Sequence, residues 1–310
     1  MAPISDLGER KLIEDFRSFI RPEGIIGPGD DAAVLSNGTV VSTDIVSFDR
    51  HFPAGMSYEQ FGWYAAAVSF SDLAAMGARP TGFLAALALP GHLEPQNAYD
   101  IMSGIDQCCE FCGTGIIGGD TKSGPGIVTG TAIGTMDGRR PMTRSGAEPG
   151  DLLAVTGALG GPAAALLDIE HDLGLDYTRE SLYVPIPRID AGVDLASSGY
   201  VTSCMDLSDG LGTAMNTVCQ SSGVGMMVEY DFLPKAAGTQ EASNATGTPM
   251  EDLLLYCGGE YELMFTVKKE GLDRLYEMEL EFSVIGLVND SGKAELIKEG
   301  KRSDIGYGRY

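Results

Sequence analysis

Along this chain, segments whose hydrophobic residues repeat with the period of a β-strand alternate with segments that repeat with the period of an α-helix. These segments form two successive series. The first series predicts strands at 39–42, 82–89, 115–117 and 127–135, and helices at 57–76 and 95–112. The second series predicts strands at 152–156, 201–205, 226–230, 263–267 and 282–288, and helices at 162–167, 189–198, 211–222 and 271–280. Because both series contain both kinds of element, the pattern predicts two mixed α/β domains.

A turn-rich segment separates the two series. Residues 142–151 are rich in glycine and proline, which end regular elements and mark linkers. We therefore predict an N-terminal domain of residues 1–148 and a C-terminal domain of residues 149–310, each long enough to bury its own core. The small, polar segment 235–248 is predicted to be an exposed loop.

The charge balance excludes several classes of partner. Against 44 acidic residues the chain has 21 basic ones, giving a net charge of −23. Binding to nucleic acid or to an anionic membrane needs clusters of Lys and Arg, so we expect neither. No apolar run approaches the roughly 18 residues that span a bilayer. The first six residues contain no basic region followed by an apolar one, so we expect a cytoplasmic protein.

Aspartates recur where an apolar strand is predicted to meet a turn that contains Gly or Ser. They are Asp30, Asp31, Asp44, Asp72, Asp120, Asp206 and Asp209. One such residue alone would be read as a helix cap or an Asx turn. Five groups of this kind would repel one another unless a cation shared them, and carboxylate oxygens suit Mg²⁺ that also binds phosphate. The set predicts a site for a magnesium–nucleotide complex.

Other familiar catalytic signatures are absent from the sequence. There is no P-loop and no protein-kinase motif set, and the three histidines are too dispersed for a zinc enzyme. Cys109 and Cys112 form a C-x-x-C, but no second pair completes a metal site. Since they fall in a predicted helix with apolar neighbours, we expect them to pack in the core as reduced thiols.

The aspartate groups belong to a longer ordered series of motifs. In chain order these are Gly29-Asp-Asp-Ala-Ala-Val34, Ser42-Thr-Asp44, His51-Phe52, Ser71-Asp-Leu-Ala-Ala-Met-Gly77, Ile117-Gly-Gly-Asp-Thr121, Thr143-Arg-Ser-Gly146, Met205-Asp-Leu-Ser-Asp-Gly-Leu211 and Gly258-Gly-Glu-Tyr-Glu262. Over about residues 8 to 310 the series resembles the signature of thiamine-monophosphate kinases, a family of the aminoimidazole-ribonucleotide-synthetase-like superfamily. The resemblance implies a two-domain α/β (α+β) fold whose N-terminal sheet pairs in a homodimer.

The resemblance also implies a role for each matching residue. Several Mg²⁺ ions per site would be held by Asp31, Ser42, Thr43, Asp44, Asp72, Asp120, Asp206 and Asp209. The co-substrate ATP would contact Gly119, Asp120, Arg144 and Ser208, and the thiamine monophosphate would contact His51, Glu260 and Tyr307. Asp72, Asp120 and Arg144 would serve the transfer step itself. The implied reaction is phosphorylation of thiamine monophosphate by ATP.

Other ATP-using members of the superfamily remain alternatives at this point. A selenophosphate synthetase would need a reactive Cys near the start, whereas the first cysteine is Cys108. A hydrogenase-maturation dehydratase would end in cysteine, whereas this sequence ends in Gly-Arg-Tyr. An aminoimidazole ribonucleotide synthetase would have a different motif at residues 42–46. A non-catalytic nucleotide- and metal-binding sensor would be distinguished by the absence of ATP turnover.

Overall fold

The computed structural model describes residues 9–20 and 26–308. The expectations drawn from residues 1–6 and from the C-terminal Tyr310 lie outside these residues. Among the described residues, no helix is long and apolar enough to cross a membrane. The strands form two separate sheets, one of five strands and one of seven.

The first half of the chain forms the five-stranded sheet and the helices beside it. Its helices are α1 (Glu9–Phe16), α2 (Phe48–His51), α3 (Tyr58–Met76) and α4 (Pro95–Phe111). Its strands are β1 (Ala33–Val34), β2 (Thr39–Ser47), β3 (Arg79–Leu89), β4 (Ile116–Ser123) and β5 (Ile127–Thr135). The order across the sheet is β1-β2-β5-β3-β4, antiparallel except for the parallel pair β3–β4, so β4 is an edge strand.

The second half forms the seven-stranded sheet. Its strands are β6 (Leu152–Val155), β7 (Val201–Asp206), β8 (Gly225–Glu229), β9 (Leu263–Val267), β10 (Ser283–Asn289), β11 (Ala294–Lys298) and β12 (Lys301–Asp304), in the order β12-β11-β8-β10-β6-β9-β7. Its helices are α5 (Gly161–His171), α6 (Arg179–Tyr183), α7 (Ile189–Ser198), α8 (Leu211–Ser222), α9 (Thr239–Thr246), α10 (Met250–Leu255) and α11 (Leu272–Glu277). One hydrophobic cluster lies around the second sheet alone, whereas the larger core contains residues of both halves.

Helix α3 lies at the centre of that core. It begins with a capping box in which Ser57 and Gln60 bond each other's backbone N–H, and it ends at Gly77 in the left-handed conformation. Thirteen of its nineteen residues are buried, on every side of the helix, as expected of a helix that is apolar all round. It packs on β2 and β5 of the first sheet and on α7 and β7 of the second half. This helix therefore joins the two halves.

The predicted pattern lacks several short elements that the structure shows, namely β1, β11, β12, α1, α2, α6 and α10, and two of its features are wrong. The segment 235–248 is not a loop throughout, because it contains α9. Thr239, Ala242 and Ser243 are buried at helical spacing, and such small side chains make a helix face that composition alone reads as polar. Strands β2 and β4 also run several residues further than predicted, because ladder pairing to β5 and β3 continues through the polar residues Thr43 and Asp44 and through residues 118–123. Cys109 and Cys112 are buried in the core, as expected.

The contact between α3 and α4 gives a test of this packing. A Cβ atom at Gly104 of α4 would lie 1.8 Å from the carbonyl oxygen of Glu59, a backbone atom that cannot move aside. We expect Gly104→Ala to force the helices apart and to lower the free energy of unfolding by about 1–3 kcal/mol. Asp106→Ala, at an exposed position of the same helix, is the control and should leave it nearly unchanged. Equal midpoints of urea unfolding for the two variants would contradict the close approach.

Candidate active site

Three carboxylates from distant parts of the chain meet where the two halves join. Asp31 lies just before β1, Asp72 on α3 and Asp206 at the end of β7. One oxygen from each lies within 4.8 Å of the others. We call these three residues the acidic cluster. Because α3 is packed on both halves, its rigid backbone fixes Asp72 between the other two.

Hydroxyl groups hold the carboxylates in place. The Ser42 hydroxyl on β2 donates to Oδ2 of Asp72. The Ser71 hydroxyl donates to Oδ2 of Asp206 over 2.7 Å, and Ser208 donates to Oδ1 of Asp206 over 3.0 Å. Each of these bonds fixes the rotamer of an acid that would otherwise turn away from its neighbours.

Arg144 provides positive charge at the cluster. Its Nη2 lies 2.8 Å from Oδ1 of Asp31, whose side chain is fully buried. Its backbone N–H donates to Oδ1 of Asp30 over 2.8 Å, so the two neighbouring aspartates anchor both the side chain and the main chain of this loop. The segment that joins the two sheets is thereby tied to the loop that carries Asp31.

Burial and mutual repulsion make these acids hard to ionise. Burial, and then the charges of Asp206, Asp44 and Asp31, raise the pKa of Asp72 well above its ordinary value. Burial and the charge of Asp31 raise the pKa of Asp206 to about 7. Burial also raises the pKa of Asp31, although the Arg144 guanidinium opposes this. A single arginine does not neutralise so many acids.

The donor atoms of the site fit Mg²⁺. Oδ2 of Asp31 and Oδ2 of Asp44 are buried and have no hydrogen-bond partner among the described residues. Unpartnered buried carboxylate oxygens are costly, and a hard divalent cation that prefers oxygen ligands would satisfy them. Asp44 on β2 faces the same side of the sheet as Ser42, toward α3. The residues thus fit one or more magnesium ions.

A cavity of about 360 Å³ opens beside the cluster. It is lined by residues of both halves, among them Arg50, His51, Tyr64, Leu166, Ser208, Asp209, Cys257 and Tyr261. His51 accepts a hydrogen bond from the Ser47 backbone N–H at Nδ1, over 3.1 Å, and its burial lowers its pKa. The neutral imidazole therefore carries its proton on Nε2, where it is available as a donor.

Glu260 lies on the turn that precedes β9. Oε1 accepts from the Gly160 backbone N–H over 3.1 Å, while the buried Oε2 has no partner among the described residues. Burial raises the pKa of this carboxyl to about 8. The turn lies against the chain after β7, since a Cβ at Gly258 would be 2.0 Å from the Ser208 carbonyl oxygen. Only glycine allows this approach, which brings Ser208 and Glu260 to one region.

Other predicted site residues lie farther from the cluster. Asp120 is exposed on edge strand β4, where Lys122 lies 3.0 Å away. Strand pairing aligns Asp120 with Ile45 across the sheet, so both side chains lie on the sheet face opposite α3. Thr43, next to Asp44, points to that face as well. Gly119 is also on β4. Tyr307 is partly exposed, and its hydroxyl lies 3.4 Å from Oε1 of Gln220 on α8.

The prediction that all these aspartates stand at strand-to-turn junctions is wrong. Asp72 lies inside helix α3, and Asp44 and Asp120 lie inside strands β2 and β4. Asp31 and Asp209 do lie on loops, and Asp206 ends β7. The clustering of Asp72 with the others depends on tertiary packing, which a junction pattern does not contain.

Several contacts of the site were not predicted. Asp30 is among the predicted aspartates, but its hydrogen bond to the Arg144 backbone was not expected. Ser71, which bonds Asp206, stood inside a motif already identified but was not assigned a role. Tyr261 was likewise part of the Gly258–Glu262 motif, whereas Tyr64 had no signal because α3 is apolar on all sides. Their hydroxyl oxygens lie 2.8 Å apart.

Comparison with known proteins agrees with this geometry. The model of the AIR synthase related protein, N-terminal domain, matches residues 29–136, and that of its C-terminal domain matches residues 148–299. The thiamine-monophosphate kinase of Methanopyrus kandleri is 33% identical over 273 residues, 85% of this chain and 87% of that protein. That of Mycobacterium tuberculosis is 39% identical over 232 residues, 71% of this chain and 68% of that protein. The chain belongs to the thiamine-monophosphate kinase family.

The three-dimensional structure agrees as well. A solved structure of AaThiL complexed with AMPPCP and TMP has a TM-score of 0.87 and 26% sequence identity, covering 100% of this chain and 99% of that one. The expected membership of the thiamine-monophosphate kinase family and the expected fold of two mixed α/β domains are therefore confirmed.

The acidic cluster of this thiamine-monophosphate kinase family member predicts an unusual response to pH. Because the folded protein binds the Asp72 proton more tightly than the unfolded chain does, metal-free protein loses stability as pH rises through the raised pKa values, which reach about 7 at Asp206. Asp72→Asn removes one of these acids. In EDTA we expect it to have a higher melting temperature than the wild type, by a margin that grows from pH 5.5 to pH 8.

Asp273→Asn, at an exposed position of α11, is the matched control and should follow the wild type at every pH. Millimolar MgCl₂ should raise the melting temperature of the wild type more than that of Asp72→Asn, since the cation removes the repulsion that the variant lacks. If Asp72→Asn melts below the wild type in EDTA at pH 8, the cluster is not under repulsive strain.

Proposed function

We propose that this protein transfers the γ-phosphoryl group of ATP to thiamine monophosphate, giving ADP and thiamine diphosphate. The observation that carries the proposal is the acidic cluster, in which Asp31 and Asp206 are buried and Asp72 is partly buried, beside a cavity that His51 lines. A cluster that fits Mg²⁺ can receive the triphosphate, and the cavity offers room for the acceptor. The family relationship supplies the identity of that acceptor.

The chemistry needs no general base from the protein. The acceptor nucleophile is an oxygen of a phosphate monoester, whose second pKa is about 6, so it is already largely dianionic at neutral pH. The protein must instead align two anionic groups that repel each other. Bound Mg²⁺ would supply the charge neutralisation that phosphoryl transfer requires. Direct in-line transfer then needs no phosphorylated enzyme.

The residues around the cluster divide this work. We infer that Asp31, Ser42, Asp44, Asp72 and Asp206 hold the magnesium ions. Arg144 is fixed through both its main chain and its side chain, and we infer that it contacts the transferred phosphoryl group. Ser208 and Asp209, at the start of α8 and on the cavity wall, would bind the nucleotide and a further ion.

The acceptor's ring system would lie toward His51 and Glu260. We infer that Nε2–H of His51 donates to the acceptor, and that Glu260 bonds the aminopyrimidine through Oε2, which has no hydrogen-bond partner in the described part of the chain. A protonated Glu260 donates and an ionised one accepts, so either state can bond a ring that has both kinds of group. Tyr307, next to Gly308 on the cavity wall, would add an aromatic face for the cationic thiazolium.

We further propose a homodimer formed through the first sheet. Ile45 is 66% exposed on the face away from α3, and Ile117 is 61% exposed on β4, whose outer edge pairs with no strand among the described residues. Exposed isoleucines and an open strand edge both favour association. Within one chain, Thr43, Gly119 and Asp120 lie away from the acidic cluster, so their proposed roles toward metal and ATP depend on this pairing. The N-terminal domain, residues 1–148, would make the contact, in the cytoplasm.

Turnover in a coupled assay tests the function. With ATP, thiamine monophosphate and Mg²⁺, we expect thiamine diphosphate to form, at a rate that rises with Mg²⁺ well beyond one equivalent per ATP. Asp72→Asn should lower kcat by about a hundredfold or more, because an electrostatic contact to the transferred group is lost. Asp273→Asn should retain full activity.

Three results would count against these proposals. Absence of turnover with thiamine monophosphate overturns the function, and turnover of another phosphorylated acceptor would redirect it within the superfamily. Saturation at one Mg²⁺ per ATP overturns the claim of several ions. A folded Asp72→Asn variant with near-normal kcat removes the role assigned to Asp72.

The dimer has its own test. We expect sedimentation at micromolar concentration to give twice the chain mass of 32.7 kDa, and Ile45→Lys on the sheet face to shift the protein toward monomer. Tyr99→Lys, also at a highly exposed apolar position but on α4, serves as control and should stay dimeric. A monomeric wild type, or two variants that dissociate equally, would contradict pairing through this sheet.

A further inference from the structure

Two tyrosine hydroxyls meet at the junction of the two halves. Tyr64 comes from α3, and Tyr261 comes from the turn between Glu260 and β9. Their oxygen atoms lie 2.8 Å apart, and the rings pack edge to face with centroids 5.8 Å apart. Both residues line the cavity of about 360 Å³. Neither hydroxyl has a part in the proposed binding of Mg²⁺, ATP or the thiamine ring system.

The pair lies between the acidic cluster and His51. Asp206 and Asp44 are among the charged groups near enough to act on the Tyr261 hydroxyl. On the other side, the Tyr64 and His51 rings lie with centroids 6.1 Å apart. An acceptor whose ring system rests near His51 and whose phosphate reaches toward the cluster must therefore place that phosphate beside the two hydroxyls.

The hydrogen-bond count leaves one proton for a ligand. Two hydroxyls carry two protons, and the bond between them uses one, so one O–H remains to donate elsewhere. Burial raises the pKa of both phenols, so both stay protonated at neutral pH. Next to the charges of Asp206 and Asp44, a neutral O–H donor attracts a phosphate oxygen without adding negative charge.

The backbone of Tyr261 is strained, and the residue that follows it is anchored by an ion pair. Its φ is +51°, a conformation that residues other than glycine seldom adopt. The next residue, Glu262, is buried and accepts from Arg188 Nε over 2.7 Å and from the Thr156 hydroxyl over 2.6 Å. Such strain persists only where the surroundings enforce it, and it concentrates at functional sites.

We propose that the Tyr64–Tyr261 hydroxyl pair binds the phosphate group of the acceptor monophosphate and positions it for transfer. This rests on the proposed function, since it takes a phosphate monoester as the acceptor. Because one tyrosine comes from each half, the pair can hold the phosphate only when the two halves are packed against each other. The pair acts as a unit, in which either hydroxyl orients the proton of the other.

The test compares Tyr64→Phe, Tyr261→Phe and the double variant with the wild type. We expect each single change to raise KM for thiamine monophosphate about tenfold, as the loss of a hydrogen bond to a charged group does, with little change in KM for ATP. The double variant should be no worse than the worse single one. Thiamine, which lacks the phosphate, should inhibit all four proteins competitively with the same inhibition constant.

A matched control separates this role from domain docking. Tyr183 of α6 also spans the two halves, donating its hydroxyl to the Ala54 carbonyl, but it does not line the cavity. Tyr183→Phe should lower the melting temperature while leaving both KM values unchanged.

Two outcomes would overturn the proposal. In the first, the tyrosine variants bind thiamine more weakly than the wild type does, by the same factor as they bind thiamine monophosphate. That result would mean that the pair contacts the ring system and not the phosphate. In the second, Tyr261→Phe lowers only the melting temperature, as Tyr183→Phe does. Failure of the wild type to phosphorylate thiamine monophosphate would instead refute the proposed function, and it would show before any variant is made.

Discussion

Repulsion among buried carboxylates is the constraint on which the rest of this structure depends. Two unit charges 4.8 Å apart repel by about 3.5 kcal/mol at an effective dielectric constant of 20. Asp31, Asp72 and Asp206 make three such pairs, and Asp44 adds to the field at Asp72. Protons, the Arg144 guanidinium and serine hydroxyls offset part of this cost in the free protein. Cations and the phosphates they carry would offset the remainder, so the site is built to be completed by its ligands.

The scaffold keeps the acids together in spite of their repulsion. Asp72 cannot move away, because it is part of α3, which is buried on all sides and is capped at Ser57 and Gly77. Asp206 cannot move away, because β7 is paired along its length with β9. At α3, therefore, the apolar packing that joins the two halves acts against the repulsion among the carboxylates of the site. Stability is given up locally so that the donor atoms are already in place before substrate binds.

Sequence periodicity predicted most of the scaffold. The bounds of β5, α7, α8 and β9 agree with prediction because each has a strong pattern ended by a turn. The pattern failed at α9, whose buried face consists of small residues, and at the far ends of β2 and β4. Within a strand, neighbours point to opposite faces, so Thr43 and Asp44 cannot both face α3. The motif series identified the candidate acids, but the pairing of strands determines the side on which Asp44 and Asp120 lie.

The motif at residues 258–262 shows why a short sequence signature can have several physical meanings. Gly258 is needed for close backbone approach, Glu260 presents an unsatisfied oxygen, and Tyr261 adopts a strained backbone that lines the cavity. The last residue, Glu262, makes no contact with the cavity. It is an anchor, bound by Arg188 and Thr156. Because Glu262 directly follows the strained Tyr261, its ion pair with Arg188 keeps the backbone from relaxing to an unstrained conformation. Two glutamates of one motif thus differ in their surroundings: Oε2 of Glu260 has no hydrogen-bond partner among the described residues, whereas Glu262 is bound by Arg188 and Thr156.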